Sequence, residues 1–450
     1  MAMILDAAKA SLAYVLILAA GDLLASLVGV SARSWVAFLG WRWLLGTGTV
    51  AVIMMAAHFL GIAFGLPMVL LPVALWWLAR WWLEKRWLPP VPHGPTVIET
   101  LPLLLFGAVL LHGLAEPLDA SDPITIYATN ARVFEVERSL APERLKSLAA
   151  PEHIEYPPLI ALNEALLFFA APSLRSRIVK PMFALFLLAF VGLLLDEARR
   201  RLPPRPAAIA LLVVTLTPAL RSAGESGFAD LPLAAFVLGF AILGREALAS
   251  ASVRPAIAAG LLLGFGALTK NEGLALALIT GAAIAVLCLA RRVRFTQWAV
   301  FALTALGPAL AWLFLRTSHG IDDPLFRGVR AIDLIANRGR VPRILAAFMR
   351  TQLQVDDERT PMWGSLWIVL AATALLVFAS RRKSKPLLVY AVLLLSHLGL
   401  YTVIFVLTPY SLSWHLESAG PRLVLHLVPW AALLLMAVLE TTAEIDPQHP

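Results

Sequence analysis

The sequence predicts an all-α polytopic membrane protein with about thirteen transmembrane helices. Hydrophobic residues make up 60% of the 450 residues and charged residues only 15%, against about 25% charged in soluble domains. Apolar runs of roughly 17–25 residues, the length that crosses a bilayer, recur along the chain. This composition excludes a soluble globular enzyme and a disordered chain. The single cysteine, Cys288, excludes a disulfide scaffold because it has no second cysteine to pair with.

The apolar runs follow one another with mostly short connections, and those near 66–83 and 255–269 are short for spans. No cleavable signal peptide is evident, because no small-residue cleavage site and soluble domain follow the first run. The first run is therefore expected to act as an uncleaved anchor. The predicted spans lie near residues 10–30, 43–62, 66–83, 98–115, 179–196, 206–222, 230–248, 255–269, 272–290, 297–317, 363–380, 386–409 and 420–440.

The lysine and arginine residues predict the orientation of the chain. Basic clusters such as 199–201 and 381–385 lie in one set of loops, which the positive-inside rule places in the cytoplasm. The loop 116–156 has more acidic than basic residues and is expected outside, as is the N-terminus. A net charge of +8 usually suggests nucleic acid as a partner. Here the positive charges flank apolar runs, so we expect membrane lipids as partners and no nucleic acid.

Two long extracytoplasmic loops, 116–178 and 318–362, are expected to be functional, as long loops usually are. The apolar segment 157–171 in the first loop is too short to span, so it predicts a re-entrant or juxtamembrane helix. The spacing of arginines over 327–343 in the second loop predicts a basic amphipathic helix resting on the membrane surface. The alternative for that helix is contact with anionic lipid or with a phosphate substrate.

Ionisable residues from five separate segments are expected at the extracytoplasmic face. They are Asp119 and Asp122; His153, Glu155 and Tyr156; Glu225 and Asp230; Lys270 and Glu272; and His415, Glu417 and Arg422. Charged groups in or against a bilayer are costly and tend to mark function. The chain has no Walker-type phosphate loop, no HExxH zinc motif and no GxSxG elbow. An active site built on helix ends fits this pattern.

Four motifs stand in a fixed order along the chain. They are DPITIYATNAR at 122–132, HIEYPPL at 153–159, GFADLPL at 227–233 with ALTKNEG at 267–273, and SWHLES at 413–418 with PRL at 421–423 and Pro429. Together they make residues 98–440 resemble the bacterial polytopic glycosyltransferases of the GT-C superfamily. The closest resemblance is to the group of the lipid A aminoarabinose transferase, the protein O-mannosyltransferases and the rhizobial lipopolysaccharide transferases.

This resemblance implies a GT-C-like helical bundle in which extracytoplasmic juxtamembrane helices cover a cavity. It implies a multi-pass enzyme of the bacterial inner membrane with its active site on the extracytoplasmic side. The implied reaction moves a sugar from a polyprenyl-phosphate-linked donor to a glycan, lipid or protein acceptor. The implied division is a catalytic module at 98–440, N-terminal helices of unclear role at 1–97 and a cytoplasmic tail at 441–450.

An acidic residue at the start of the first loop typically acts as the base in this family. Aligned on Arg132, that acid is Asp122 and the aromatic residue of the family pattern is Tyr127, while Asp119 is the competing choice. The lysine position of the pattern holds Asn130, and this departure weakens a cation's role there. Asp122 also precedes a proline, so it could instead serve as a helix N-cap.

The leaving phosphate needs fixed cations where negative charge develops. Lys270 is the first candidate, and its alternative is an ion pair with a neighbouring acid such as Glu272 or Asp230. Arg422 is the second candidate, with snorkelling to the membrane interface as its alternative. Arg132 is the third, and it could simply face solvent.

Recognition of the sugar and acceptor is expected from other polar residues of these motifs. The candidates are Asp230, Glu225, Glu272, His153, Glu155, Tyr156, Tyr127 and His415. Asp230 could instead cap its helix, and His415 could be an interface histidine. His153 and Glu155 with a further acid could hold a divalent metal, for which three or four converging ligands are needed. No cofactor is otherwise expected.

Two other functions fit the same sequence. A transporter or flippase of a lipid-linked or anionic substrate would use a similar cationic cavity, open in turn to both sides, without chemistry. A transferase cavity would open only outward and laterally toward lipid. A non-catalytic scaffold that has inherited the fold is the third reading, because Asn130 and Pro421 depart from the family pattern.

Overall fold

The computed structural model describes most of the chain. All regular secondary structure in the described part is helical, which confirms the predicted all-α class. Arg327, the basic cluster at 381–384 and the end of the tail at 444–450 lie outside the described residues. The described residues are 2–84, 97–148, 153–250, 252–290, 292–323, 330–351, 362–379 and 385–443.

Twenty α-helices are described, together with a π-helical turn at Pro123–Ala128 and two 3₁₀ turns at Pro172–Leu174 and Arg338–Arg340. Local sequence explains several helix starts: Ser34 Oγ, for example, accepts a hydrogen bond from the Ala37 N–H. The helices are α1 Ala2–Val28, α2 Trp35–Phe59, α3 Leu66–Glu84, α4 Val97–Ala115, α5 Thr129–Glu137, α6 Pro142–Lys146, α7 Leu159–Ala170, α8 Arg175–Arg201, α9 Pro204–Thr215, α10 Pro218–Ser226, α11 Asp230–Ala249, α12 Arg254–Ala267, α13 Asn271–Leu289, α14 Phe295–Ser318, α15 Ala331–Ala336, α16 Val341–Thr351, α17 Leu366–Ala379, α18 Lys385–Leu407, α19 Leu412–Leu425 and α20 Val428–Ala443.

Seven of the described helices are long and apolar enough to cross a membrane, and two bent helix pairs raise the number to nine. The seven are α1, α2, α3, α8, α11, α14 and α18. Helices also occupy the other predicted spans, where the apolar stretches are shorter, such as Glu99–Ala115, Arg254–Ala267 and Asn271–Val286. The 14 residues of α12 extend only about 21 Å at 1.5 Å per residue, less than the roughly 30 Å of a bilayer core. The chain is a multi-pass helical membrane protein, as predicted.

Two of the predicted spans are bent. The span near 206–222 consists of α9 and α10, which meet at 53°, and the span near 420–440 consists of α19 and α20, which meet at 43°. Pro218 is the first residue of α10, and Pro429 is the second residue of α20. Proline has no N–H to donate and disfavours a helical conformation in the residue before it. Each break is therefore explained by its proline.

The chain divides into two compact units. Unit 1 comprises Met1–Leu193 and Ala223–Ile321, and unit 2 comprises Leu194–Ser222 and Asp322–Pro450. The N-terminal helices α1–α3 belong to unit 1 together with α4–α7 and α11–α14. The boundaries of these units differ from the predicted division at residue 97. That division separates a catalytic module from N-terminal helices by function, and it stays a prediction.

The core of unit 1 combines close helix crossings with stacked aromatic rings. A Cβ atom added to Gly21 would lie 1.8 Å from the carbonyl oxygen of Arg42, so α1 and α2 cross in direct backbone contact. The rings of Phe186, Phe236 and Phe265 meet edge to face, with centroids 5.8 and 6.1 Å apart. These contacts join α8, α11 and α12.

A buried ion triad ties the first three helices together. Asp22 of α1 lies 2.8 Å from a terminal nitrogen of Arg42 in α2 and 2.8 Å from one of Arg80 in α3. All three side chains are buried. Because a buried charge is costly without its partner, the triad fixes the packing of α1, α2 and α3.

The segment predicted to be re-entrant or juxtamembrane forms α7. This helix has twelve residues, is buried along almost its whole length and packs against α1, α2 and α5. Its placement as a re-entrant or a juxtamembrane helix stays a prediction.

Unit 2 contains a short amphipathic helix, α16, which begins at the C-terminal end of the arginine spacing over 327–343. The described part of that stretch before α16 forms α15 and the 3₁₀ turn instead of one continuous helix. Ile344 and Phe348 of α16 are buried, whereas Arg343 and Arg350 are exposed. The helix packs against α18 and α19. Its position on a membrane surface stays a prediction.

Candidate active site

A buried lysine, Lys270, lies just before α13 and contacts two carboxylates, one from α11 and one from α13. The Nζ atom of Lys270 is 2.8 Å from Oδ1 of Asp230 and 3.4 Å from Oε1 of Glu272. Lys270 is 6% exposed and Asp230 2% exposed, so water screens the charges only weakly. The structure thus shows the ion-pair alternative for Lys270, in which two carboxylates already face its charge.

The sequence around Lys270 explains the turn between α12 and α13. Lys270 has extended backbone angles, φ −152° and ψ 156°, and thus ends one helix before the next begins. A Cβ atom on Gly273 would lie 2.1 Å from the carbonyl oxygen of Gly266. Glycine in the TKNEG motif therefore allows the start of α13 to lie directly against the end of α12.

Tyr127 lies at the centre of the predicted site. It is buried in the π-helical turn, and this burial raises the pKa of its phenol well above the usual value. The neighbouring Tyr156 and the carboxylates of Asp230, Glu272 and Asp122 raise that pKa further. Four residues predicted from three separate motifs are thus close enough to Tyr127 to act on it electrostatically, and Tyr127 stays a neutral hydroxyl.

Asp122 occupies the N-cap position of the π-helical turn but does not cap it. Its backbone is already helical, at φ −54° and ψ −45°, and its carboxylate makes no capping hydrogen bond. The side chain is partly exposed. The helix-cap alternative therefore does not explain this acid. Single-turn π-helical insertions are frequent at functional sites, and this one begins directly after Asp122 and contains Tyr127.

The HIEYPPL motif forms a tight turn beside the cluster. His153 Nδ1 and Glu155 Oε1 are 2.8 Å apart, and the rings of His153 and Tyr156 have centroids 4.7 Å apart. The N–H of Leu159 donates to the carbonyl oxygen of Leu268 at 2.9 Å. Because Leu268 is two residues before Lys270, this bond attaches the motif to the α12–α13 turn.

A second group of ionisable residues lies on α4, α8 and the segments next to them. Nζ of Lys180 is 4.0 Å from Oδ1 of Asp119, and Nδ1 of His112 is 3.7 Å from Oε2 of Glu225. Asp119 and Glu225 are predicted site residues, whereas sequence reasoning missed Lys180 and His112 as site members. For His112 the available signal was an isolated ionisable residue within an apolar run. Lys180 instead follows Arg175 and Arg177 in a basic stretch, from which only a position at the outer interface was expected.

Gly227 connects the two groups. Its φ of +83° lies in the left-handed region that favours glycine, and its α-carbon faces Leu118 and Pro123. An added Cβ atom would be 2.8 Å from Leu118 Cδ2 and 3.1 Å from Pro123 Cβ. The chain that links Glu225 to Asp230 therefore lies against the segment that holds Asp119 and Asp122.

Arg132 lies on the exposed side of α5. It is exposed and pairs with Glu135 on its own helix, α5, which matches the solvent-facing alternative. Asn130, at the position of the family's lysine, is buried.

Arg422 and His415 belong to unit 2, on α19. His415 Nδ1 is 2.8 Å from Thr408 Oγ1, and its ring centroid lies 4.7 Å from that of Phe405. These contacts hold His415 within unit 2. The predicted roles of both residues in the same reaction stay predictions.

A metal site is not formed by the described residues. No three histidine, cysteine, aspartate or glutamate side chains among them gather in a way that could hold a metal ion. His153 and Glu155 pair with each other, and structural metal sites need three or four ligands.

Comparison with known proteins adds one distant likeness. No protein-family model and no curated protein match the chain. Among solved structures, the chain is similar to the crystal structure of ArnT from Cupriavidus metallidurans bound to undecaprenyl phosphate. The identity is 16%, the match covers 78% of this chain and 79% of that chain, and the TM-score is 0.38. A likeness at this level carries no inference, so the proposals that follow rest on this chain's own residues.

Proposed function

We propose that the chain is a GT-C-type membrane glycosyltransferase. It moves a sugar from a polyprenyl-phosphate-linked donor to a glycolipid, polysaccharide or protein acceptor of the cell envelope. The reaction takes place at the extracytoplasmic face of the bacterial inner membrane. The observation that carries the proposal is the convergence, around the buried Tyr127, of ionisable residues from three of the four family-like motifs.

The chemistry assigned to Asp122 is general base catalysis. Asp122 takes the proton of the acceptor hydroxyl while the acceptor oxygen forms a bond to C1 of the sugar. The bond between C1 and the phosphate oxygen breaks, and its electron pair leaves with the polyprenyl phosphate. A positioned base of this kind contributes about 10²–10⁴-fold. A partly exposed carboxylate that caps no helix suits this role.

The remaining acids of the cluster suit recognition. Lys270 holds Asp230 and Glu272 in fixed positions, from which they accept hydrogen bonds from sugar hydroxyls. Tyr127 stays a neutral hydroxyl because burial raises its pKa, so it can donate. Other residues are proposed to help recognise the sugar and acceptor: Glu225, His153, Glu155, Tyr156 and His415. Arg422 and Arg132 are proposed to contact the donor phosphate.

Turnover by purified protein tests the proposal. Full-length protein in lipid nanodiscs is given undecaprenyl phosphate carrying a hexose, a uronic acid or an amino sugar, with purified lipopolysaccharide as acceptor. We expect labelled glycolipid and free undecaprenyl phosphate from at least one donor. D122N is expected to lower kcat at least about 100-fold, because the base is lost.

Two further variants make the test specific. D119N removes the competing acid and is expected to lower kcat by less than about tenfold. Glu143 is exposed in the same loop, and E143Q is expected to leave kcat unchanged. A large loss in D119N with activity kept in D122N would move the base to Asp119. Absence of turnover with every donor would contradict the transferase.

The bent helix pairs favour a second candidate function. Discontinuous helices often form the substrate sites of secondary transporters, and α9–α10 and α19–α20 are bent at their breaks. A transporter or flippase would move a labelled undecaprenyl-linked sugar across the membrane of proteoliposomes without cleaving it. Cleavage that depends on Asp122 would exclude this candidate as the main function.

A further inference from the structure

Lys180 is a buried cation outside the Lys270 cluster. It lies in the second turn of α8 and is 3% exposed. Its ionic partner among the described residues is Asp119, with Nζ and Oδ1 4.0 Å apart, beyond hydrogen-bond distance, and the Asp119 side chain is 81% exposed. An ammonium group withdrawn from water is costly unless a close anion faces it. Lys180 is therefore poorly neutralised in the structure.

Lys270 differs from Lys180 in what surrounds it. Two carboxylates lie 2.8 and 3.4 Å from Lys270 Nζ, so a phosphate arriving there would meet two fixed negative charges. A phosphate arriving at Lys180 would replace one long contact to Asp119, whose charge water already screens. The charge balance therefore favours Lys180 over Lys270 as the binding site for an anion.

The position of the Lys180 side chain is fixed by α4. Gly113 lies directly beside it, and a Cβ atom added there would be 3.2 Å from Lys180 Cβ and 3.9 Å from Lys180 Cδ. The lysine stem thus runs along the surface that Gly113 leaves open. A stem held by packing loses less conformational entropy when its charge binds a ligand.

Lys180 also lies next to the segment that carries the proposed base. Its partner Asp119 is three residues before Asp122, and Gly227 packs against Leu118 and Pro123 of the same segment. The lysine position of the family-like motif holds the uncharged Asn130, so that position supplies no cation for a phosphate.

We propose that Lys180 binds the phosphate group of the polyprenyl-phosphate donor, and that Asp119 moves toward solvent when the phosphate arrives. The ligand class is a phosphate ester of a long isoprenoid alcohol. This inference rests on the proposed function and assigns its phosphate-binding cation.

Direct binding measurements test the assignment. Full-length protein in nanodiscs is titrated with undecaprenyl phosphate and, separately, with undecaprenol, which has the same tail without the phosphate. K180Q is expected to raise the Kd for undecaprenyl phosphate at least about tenfold, since a charge-assisted hydrogen bond is lost. K180R keeps the charge and is expected to stay within about threefold. K146Q, a change to an exposed lysine of the same loop, is expected to leave the Kd unchanged.

D119N keeps the test decisive even where K180Q fails to fold. Removing the competing acid is expected to tighten binding of undecaprenyl phosphate about two- to fivefold, whereas a structural partner of Lys180 would leave it unchanged or weaker. Unchanged binding in K180Q, or unchanged or weaker binding in D119N, would overturn the assignment.

Two controls separate the possible sources of phosphate and the two proposals. If inorganic phosphate alone binds the wild type as tightly as undecaprenyl phosphate, the site is a free-anion site and the lipid assignment is overturned. If the wild type binds undecaprenyl phosphate no better than undecaprenol, the proposed function itself fails. If the wild type binds undecaprenyl phosphate and K180Q binds it equally well, the proposed function stands and only the assignment of Lys180 is overturned.

Discussion

Two buried lysines of unit 1 differ in how completely nearby carboxylates neutralise their charge. Lys270 contacts Asp230 and Glu272, and the charges of Lys270 and Asp230 depend on one another because little water reaches them. Lys180 has the exposed Asp119 at 4.0 Å. At the scale of residues we therefore assign the first lysine to holding the site together and the second to binding ligand.

The Lys270 cluster makes a prediction about stability. K270Q leaves the buried Asp230 and the partly exposed Glu272 without the Lys270 cation, and breaking a buried ion pair such as Lys270–Asp230 costs roughly 3–5 kcal/mol. K270Q is therefore expected to unfold at a clearly lower temperature than the wild type, measured by intrinsic fluorescence in detergent. The triple variant K270Q/D230N/E272Q removes all three charges and is expected to recover most of that loss. Equal melting of K270Q and wild type would show that the cluster does not stabilise the fold.

At the scale of elements, the site depends on how closely helix ends approach one another. The α12–α13 turn brings Lys270 to Asp230 because Gly273 has no side chain to hold the Gly266 carbonyl away. The Gly227 turn brings the chain before α11 against the segment before the π-helical turn. Small residues at these turns therefore determine where the charged residues lie.

A pair of glycine substitutions on α13 tests this role of the turn. G273A places a Cβ atom 2.1 Å from a backbone oxygen, which forces α12 and α13 apart and is expected to lower both the melting temperature and kcat. Gly281 has nothing within 4 Å of an added Cβ atom, and alanine favours a helix over glycine by about 1 kcal/mol. G281A is therefore expected to match or exceed wild-type stability. Equal behaviour of the two variants would contradict the close-approach argument.

The elements were more predictable from the sequence than the contacts between them. Apolar runs are a local signal, and they predicted the helices and the all-α class. The shared side of the acidic motifs predicted that Asp122, Asp230 and Glu272 would lie close together. The burial of Lys180 was not predictable, because it depends on how α4 packs on α8 at Gly113. Tertiary packing also decided that Lys270 pairs with two acids.

At the scale of the whole molecule, the N-terminal helices share a compact unit with the candidate site. The triad of Asp22, Arg42 and Arg80 ties α1–α3 together, and α7 packs against α1 and α2. The HIEYPPL motif leads directly into α7. The first three helices, for which the sequence predicted no clear role, therefore pack within the same unit as the candidate site.

The most direct test of the transferase is a cryo-EM map of the protein in nanodiscs with undecaprenyl phosphate added. We expect phosphate density in contact with Lys180, in a cavity open outward and toward lipid, with the Asp122 carboxylate facing the same cavity. Phosphate density elsewhere, or a cavity that opens to both sides of the membrane with Asp122 turned away from it, would contradict the account and favour a transporter.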